Sequence, residues 1–231
     1  APTNKFVGGT MVTEGMSGMA SEKTIGRLSL YRRLLDRLLV QGKSHVYSHQ
    51  LAALAGGTAA QVRRDIMSVG YSGSPTRGYE IRELIRCIGN VLDDLHGAGA
   101  ALVGVGNLGR AIMAYFSGRR PHLAIVAAFD KDVYKVNRVI HGCPVYSSDD
   151  LRQVIAEKKI RVGIITVPGN QAQEVADQLV SAGVSGILNF APVPLRTPEH
   201  VYADDLDVTM SLEKVAFFAR QKSLEKEAVK P

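Results

Sequence analysis

The stretch Ala100-Ala101-Leu102-Val103-Gly104-Val105-Gly106-Asn107-Leu108-Gly109 decides how this chain is read. An apolar run enters a Gly-x-Gly-x-x-Gly turn. A second apolar run, Leu123 to Phe129, ends on Asp130, 21 residues after the last glycine. That order marks a dinucleotide-binding βαβ unit. Gly104 permits the tight turn out of the strand, Gly106 lets the backbone approach a pyrophosphate, and Gly109 allows close helix–strand packing. A helix opening at Asn107 and Leu108 points its free N–H groups and its dipole at the phosphates. Asp130 is placed for the adenosine ribose hydroxyls. Its charge repels a 2′-phosphate, so NAD(H) is expected rather than NADP(H).

Around this unit, strands alternate with helices, the pattern of an α/β fold with a parallel sheet. Strands are expected at Ala100–Val103, Leu123–Phe129, Val162–Val167 and Gly186–Asn189. Helices are expected at Asn107–Ser117, Asp149–Glu157 and Gln171–Ala182. Thr166-Val167-Pro168 and Asn189-Phe190-Ala191 each end a strand on the edge where ligands sit in such sheets. Each either lines the nicotinamide side of the site or is an ordinary strand-to-loop turn. From Asp207 onward a final amphipathic helix is expected, with Leu212, Val215, Ala216 and Ala219 on one side.

The residues in front read differently. Leu28, Tyr31, Leu34, Leu35, Leu38 and Leu39 recur at helical spacing from Thr24 to Val40, with arginines between them. Ser48 is expected to cap a short second helix that closes at Gly56-Gly57. Thr58 caps a third, and Gln61 completes a Thr-x-x-Gln capping box. Two short helices joined by a glycine turn form a helix-turn-helix. Gly70 to Tyr79, rich in Gly, Ser and Pro, suits a β-hairpin wing. A recognition helix would present Thr58, Ala59 and Gln61 at its start and Arg63 and Arg64 for phosphates or base edges, with Arg77 and Tyr79 on the wing. The charge agrees with an anionic partner there: residues 21–96 hold 11 Lys/Arg against 7 Asp/Glu, and residues 97–231 hold 16 against 14.

The organisation expected is a flexible arm at 1–20, a winged-helix DNA-binding domain at 21–96, a Rossmann domain at 97–206 and a C-terminal dimerisation helix and tail at 207–231. The run His96-Gly97-Ala98-Gly99 marks the boundary between the two domains. No run approaches ~18 apolar residues, so no transmembrane helix is expected. Cys87 and Cys143 lie 56 residues apart, outside metal-ligand spacing, and no metal is expected. None of the six histidines falls in a recognisable catalytic setting, and no Tyr-x-x-x-Lys pair stands where a hydride-transfer enzyme needs its acid or base. The expectation is a sensor that is not an enzyme. The alternative is an NAD-dependent oxidoreductase with a helical appendage.

Several strings resemble the Rex family of bacterial redox-sensing repressors: Arg27-Leu28 with Leu30-Tyr31, Gln61-Val62-Arg63-Arg64-Asp65, Gly78-Tyr79, Gly104 to Gly109, Phe129-Asp130-Lys131-Asp132, Thr166-Val167-Pro168 and Gly186 to Val193. The resemblance runs from about Ser21 to Gln221. It implies a cytoplasmic homodimer that binds a palindromic operator and leaves it when NADH binds. It also implies a C-terminal helix exchanged between subunits. Within that resemblance Arg27, Tyr115 and Asp207 match a switch in which Asp207 pairs with Arg27 in one state and with Tyr115 in the other. The chain departs from the family pattern at Val133, Asn137 and Ser211.

Overall fold

The computed structural model describes residues 21–93, 99–118 and 123–228, with side chains to residue 223. The expected arm, and the boundary run as far as Ala98, lie outside the described residues. The chain divides into two compact units, Ala1–Asp93 and Asp94–Pro231.

The first unit is mainly helical. Helix α1 (Glu22–Val40) is capped by Ser21, whose side chain accepts the Thr24 N–H. Strand β1 (His45–Val46) precedes α2 (Ser48–Ala55), and α3 (Ala59–Ser68) follows. Ser48 does not cap α2. Tyr47 holds that position, and its N–H is satisfied by the Gln50 side chain at 2.9 Å. Gly56 ends α2 at φ +69°, a conformation that favours glycine, and Thr58 starts α3 by accepting the Gln61 N–H. The wing is a tight loop in which Ser74 and Gly78 bridge antiparallel. Strand β2 (Tyr79–Glu80) then pairs with β1. Helix α4 (Ile81–Leu92) packs on α1. Leu28, Tyr31, Leu35, Val62, Ile66, Leu84 and Ile88 form the core.

The second unit is a seven-stranded sheet in the order β5-β6-β4-β3-β7-β8-β9. The strands are β3 (Ala100–Val103), β4 (Ile125–Asp130), β5 (Arg138–Ile140), β6 (Cys143–Ser147), β7 (Val162–Ile165), β8 (Gly186–Asn189) and β9 (Tyr202–Asp205). Only β5 runs antiparallel. From β6 to β9 the order is that of a doubly wound dinucleotide fold, with the chain reversing direction between β3 and β7. Strand β3 is buried on both faces. Ala101 and Val103 pack toward α6 (Leu151–Lys158) and α7 (Gly169–Ser181), while Ala100 and Leu102 pack toward α5 (Asn107–Phe116). Sequence reasoning missed β5, β6 and β9. The first and last are edge strands, and β9 reads Tyr-Ala-Asp-Asp, without an apolar run to mark it.

Helix α8 (Val208–Ala228) corrects one expectation. Leu212, Val215, Ala216 and Ala219 do share a side, but other apolar residues do not, so the helix is not amphipathic. Val208, Leu212 and Val215 share a face, while Met210 and Phe217 lie on the opposite one. Every side chain described on α8 is exposed.

Candidate functional site

The β3–β7 reversal opens a cavity of about 750 Å³, within the range of cofactor pockets. Val103, Gly104, Gly106, Asp130, Thr166, Val167 and Pro168 line it. Gly104 sits at φ +101°, and a Cβ there would meet the Thr166 carbonyl oxygen at 2.8 Å. A Cβ on Gly109 would collide with the Gly104 carbonyl, so this glycine lets α5 close on the turn. Gly106 differs, since a Cβ on it would meet nothing within 4 Å and it lines the cavity. The Thr166 hydroxyl donates to the Gly104 carbonyl at 2.7 Å and clamps the turn from the neighbouring strand.

Asp130 completes this cradle. Its Oδ2 accepts the Val105 N–H at 2.7 Å and the Lys135 ammonium at 3.1 Å, and its Oδ1 accepts the Asp132 N–H at 2.9 Å. Burial by itself would raise its pKa. The hydrogen bonds outweigh burial and hold it below the ordinary carboxylate value. The carboxylate therefore stays charged and fixed in the cavity wall. An open approach at Gly106, helix N–H groups at Asn107 and a fixed anion at the end of β4 suit NAD(H). Asn107 and Leu108 occupy the exposed first turn of α5.

The β8 loop is not brought into the cavity. Asn189 is fully buried, and its amide donates to the Val193 carbonyl and the Asp205 carboxylate while accepting the Ala191 N–H. Phe190 packs against the apolar cluster beneath α5, and Ala191 lines a separate hollow beside Asp207 and Met210. Sequence reasoning missed Lys135, Ser147, Ser148 and Gln171 in the cavity wall. The serines belong to the unrecognised strand β6 and the turn after it. Lys135 stood five residues past Asp130, a spacing that points nowhere until the chain folds back.

In the first unit, α3 exposes Ala60, Arg63, Arg64 and Met67 and buries Val62, Asp65 and Ile66. Arg63 donates to the Ser48 hydroxyl at 3.2 Å, and Arg64 donates to the Gln61 amide oxygen at 3.3 Å. Gln61 therefore does not complete the expected capping box: its oxygen serves the Arg64 guanidinium, and its nitrogen donates to Asp65 at 2.8 Å. The Thr58 hydroxyl is spent on the cap, and Ala59 opens the helix half-buried. Arg77 is exposed on the wing, which the Tyr47 hydroxyl ties to the start of α2 by donating to the Thr76 carbonyl at 2.7 Å. Tyr79 is a correction. At 9% exposure it is a core residue packed against Tyr71, because β2 turns this side chain inward.

Of the three residues expected to form a switch, Arg27 is engaged with Asp65 at 2.7 and 2.8 Å. Asp207 caps α8 by accepting the Met210 N–H at 2.8 Å. Tyr115 is exposed on α5, edge-on to Phe116. Among the described residues no cluster of His, Cys, Asp and Glu can hold a metal ion, and no helix is long and apolar enough to cross a membrane.

Comparison with known proteins decides the family. The redox-sensing transcriptional repressor Rex of Pelotomaculum thermopropionicum is 40% identical over 201 residues, which cover 87% of this chain and 94% of that protein. The chain belongs to the Rex family. Rex of Carboxydothermus hydrogenoformans is also 40% identical, covering 87% of this chain and 96% of its own. A family model for CoA binding domains matches residues 98–193, and one for the N-terminus of DNA-binding proteins matches residues 20–66. Among solved structures, the Rex-family repressor RSP in complex with β-NAD⁺ and operator DNA aligns with a TM-score of 0.81 at 31% identity, covering 91% of this chain and 97% of that one. RSP in complex with β-NADH aligns at 0.77 and 29% identity, covering 91% and 99%.

Proposed function

We propose that this chain is a redox-sensing transcriptional repressor that reads NAD(H) in the β3–β7 cavity and operator DNA through α3 and the wing. The cradle around Asp130 carries the reading. It holds a fixed carboxylate beside the glycine turn, in the same chain as a helix that exposes Arg63 and Arg64. Support comes from the RSP complexes, one with NAD⁺ and operator DNA and the other with NADH. Thr58, Ala59, Arg63, Arg64 and Arg77 face the operator, and Gly104, Gly106, Asn107, Leu108, Asp130 and Thr166 to Pro168 face the dinucleotide. Asn189 to Ala191 act from behind, by fixing the β8 turn.

The chain works in the cytoplasm as a homodimer on a palindromic site. Helix α8 is apolar on opposite faces and uncovered by its own chain, which suits a helix buried by a partner subunit. NADH releases the DNA through its unequal affinity for two states, with Arg27, Tyr115 and Asp207 as the residues that change partners. The test is operator binding measured across NADH:NAD⁺ ratios, with NADPH as control. Binding should weaken with NADH and respond far less to NADPH. Operator affinity that ignores NADH would overturn the sensing reading.

A further inference from the structure

Asp65 is the most heavily bonded side chain among the described residues of the first unit. It sits on the buried side of α3, 3% exposed, next in sequence to Arg64. Arg27 reaches it from α1 with two donors, Nε to Oδ2 at 2.7 Å and Nη2 to Oδ1 at 2.8 Å. The Tyr31 hydroxyl donates to Oδ2 at 2.9 Å, and the Gln61 amide nitrogen donates to Oδ1 at 2.8 Å. Four donors fill the acceptor sites of one carboxylate. Asp65 is buried while Arg27 stays 31% exposed, and the desolvation of the carboxylate offsets much of what such a pair contributes, so stability alone does not account for it.

The hub also sets the orientation of Gln61. With its nitrogen turned toward Asp65, its oxygen faces outward, where Arg64 Nη2 donates to it at 3.3 Å. A bonded chain thus runs from Arg27 through Asp65 and Gln61 to an arginine on the exposed face of α3. Its last acceptor is neutral. Gln61 orients the Arg64 guanidinium without cancelling its charge, whereas a carboxylate would do both. Arg27 in turn balances the charge of Asp65, which would otherwise draw Arg64 inward.

We infer that Asp65 and Gln61 are positioning residues for DNA recognition, holding Arg64 in the orientation in which it meets the operator while touching no DNA themselves. This rests on the reading of α3 as the operator-facing helix, and it gives Gln61 a role other than reading a base.

The test is a double-mutant cycle on full-length protein, with operator and random-sequence DNA compared at several salt concentrations. Gln61→Met keeps the helix and the Arg27–Asp65 pair and removes both bonds of the relay, the one to Asp65 and the one from Arg64. It should lower the operator-to-random affinity ratio roughly tenfold, the low end for a misdirected arginine–base contact. Binding to random DNA should keep its salt slope, because that slope counts phosphate contacts. In an Arg64→Ala background, adding Gln61→Met should cost nothing further. Additive losses would mean that Gln61 touches DNA itself and would overturn the positioning role while leaving α3 as the reader. If Arg64→Ala left operator binding unchanged, the reading of α3 would fall and the inference with it. Asp65→Asn should lose the same ratio, and a circular-dichroism spectrum equal to that of the parent shows that the fold is kept.

Discussion

The carboxylate of Asp130 accepts the backbone N–H of Val105 at 2.7 Å, so the end of one strand holds the glycine turn that leaves its neighbour. The residue expected to recognise the ribose is therefore also a support for the backbone expected to meet the phosphates. Its hold on Lys135 adds a cation to the same wall.

Asp130→Ala should weaken NADH binding by about 10- to 100-fold, from a lost acceptor and an unsatisfied Val105 N–H at about 1–3 kcal/mol. Titration calorimetry checks this. Gly104→Ala acts through the fold, since φ +101° and the 2.8 Å approach to the Thr166 carbonyl leave no room for a methyl group. It should lower stability by about 1–3 kcal/mol, seen in denaturant unfolding.

Two groups of the Arg27 hub give the first unit a pH window. Burial would raise the Asp65 pKa, but hydrogen bonds from Arg27, Gln61 and Tyr31 hold it below the ordinary value. Its contribution is present above the unfolded carboxylate pKa and is lost as pH falls through the lower folded value. Tyr31 runs the other way. Burial, and then its bond to Asp65, push it up from 10.0 to about 12. Its contribution is present below pH 10 and is lost as pH rises through about 12. Hydrogen exchange of α1 and α3 amides should show faster opening at both limits, and Tyr31→Phe should remove the alkaline limb alone.

Arg32 and Asp93 form another half-hidden ion pair in the first unit, at 2.6 Å. The Arg32 Nε is buried without a hydrogen-bond partner among the described residues. An incompletely satisfied pair contributes little, yet removing one member strands the other. Arg32→Ala should cost about 2 kcal/mol, while Arg32→Met with Asp93→Leu should return to within about 1 kcal/mol of the parent. Denaturant unfolding of the three proteins decides this.

Helix α8 carries Val215 on an open apolar face. Val215→Glu should shift sedimentation from dimer toward monomer, because a charge buried in an interface core is unpaired there. Val40→Glu, at an exposed apolar residue at the end of α1, is the control and should leave the mass unchanged. Equal masses for all three proteins would remove α8 from the dimer interface.

The central strands and the glycine turn were legible in the sequence because their causes are local. A strand buried on both faces reads as an unbroken apolar run, and Gly104 and Gly109 stand where backbone meets backbone. The helix start at Thr58 was legible for the same reason. Strands β6 and β9 were not: Tyr202 to Asp205 form a strand because β8 offers a partner, not because their side chains favour one. Tyr79 read as a wing residue beside Gly78, and only pairing with β1 turned it into the core.

The order of side chains along the chain therefore determined the two-part architecture, the dinucleotide cradle and the family, since each rests on short-range spacing. Tertiary structure alone decided that Arg27, 38 residues before Asp65, becomes its counter-charge. It also decided that Gln61 turns inward and that Asn189 is spent behind the cavity rather than in it. Those outcomes depend on which polar groups meet once water is excluded, and a buried donor or acceptor takes whatever partner the fold brings within hydrogen-bonding distance.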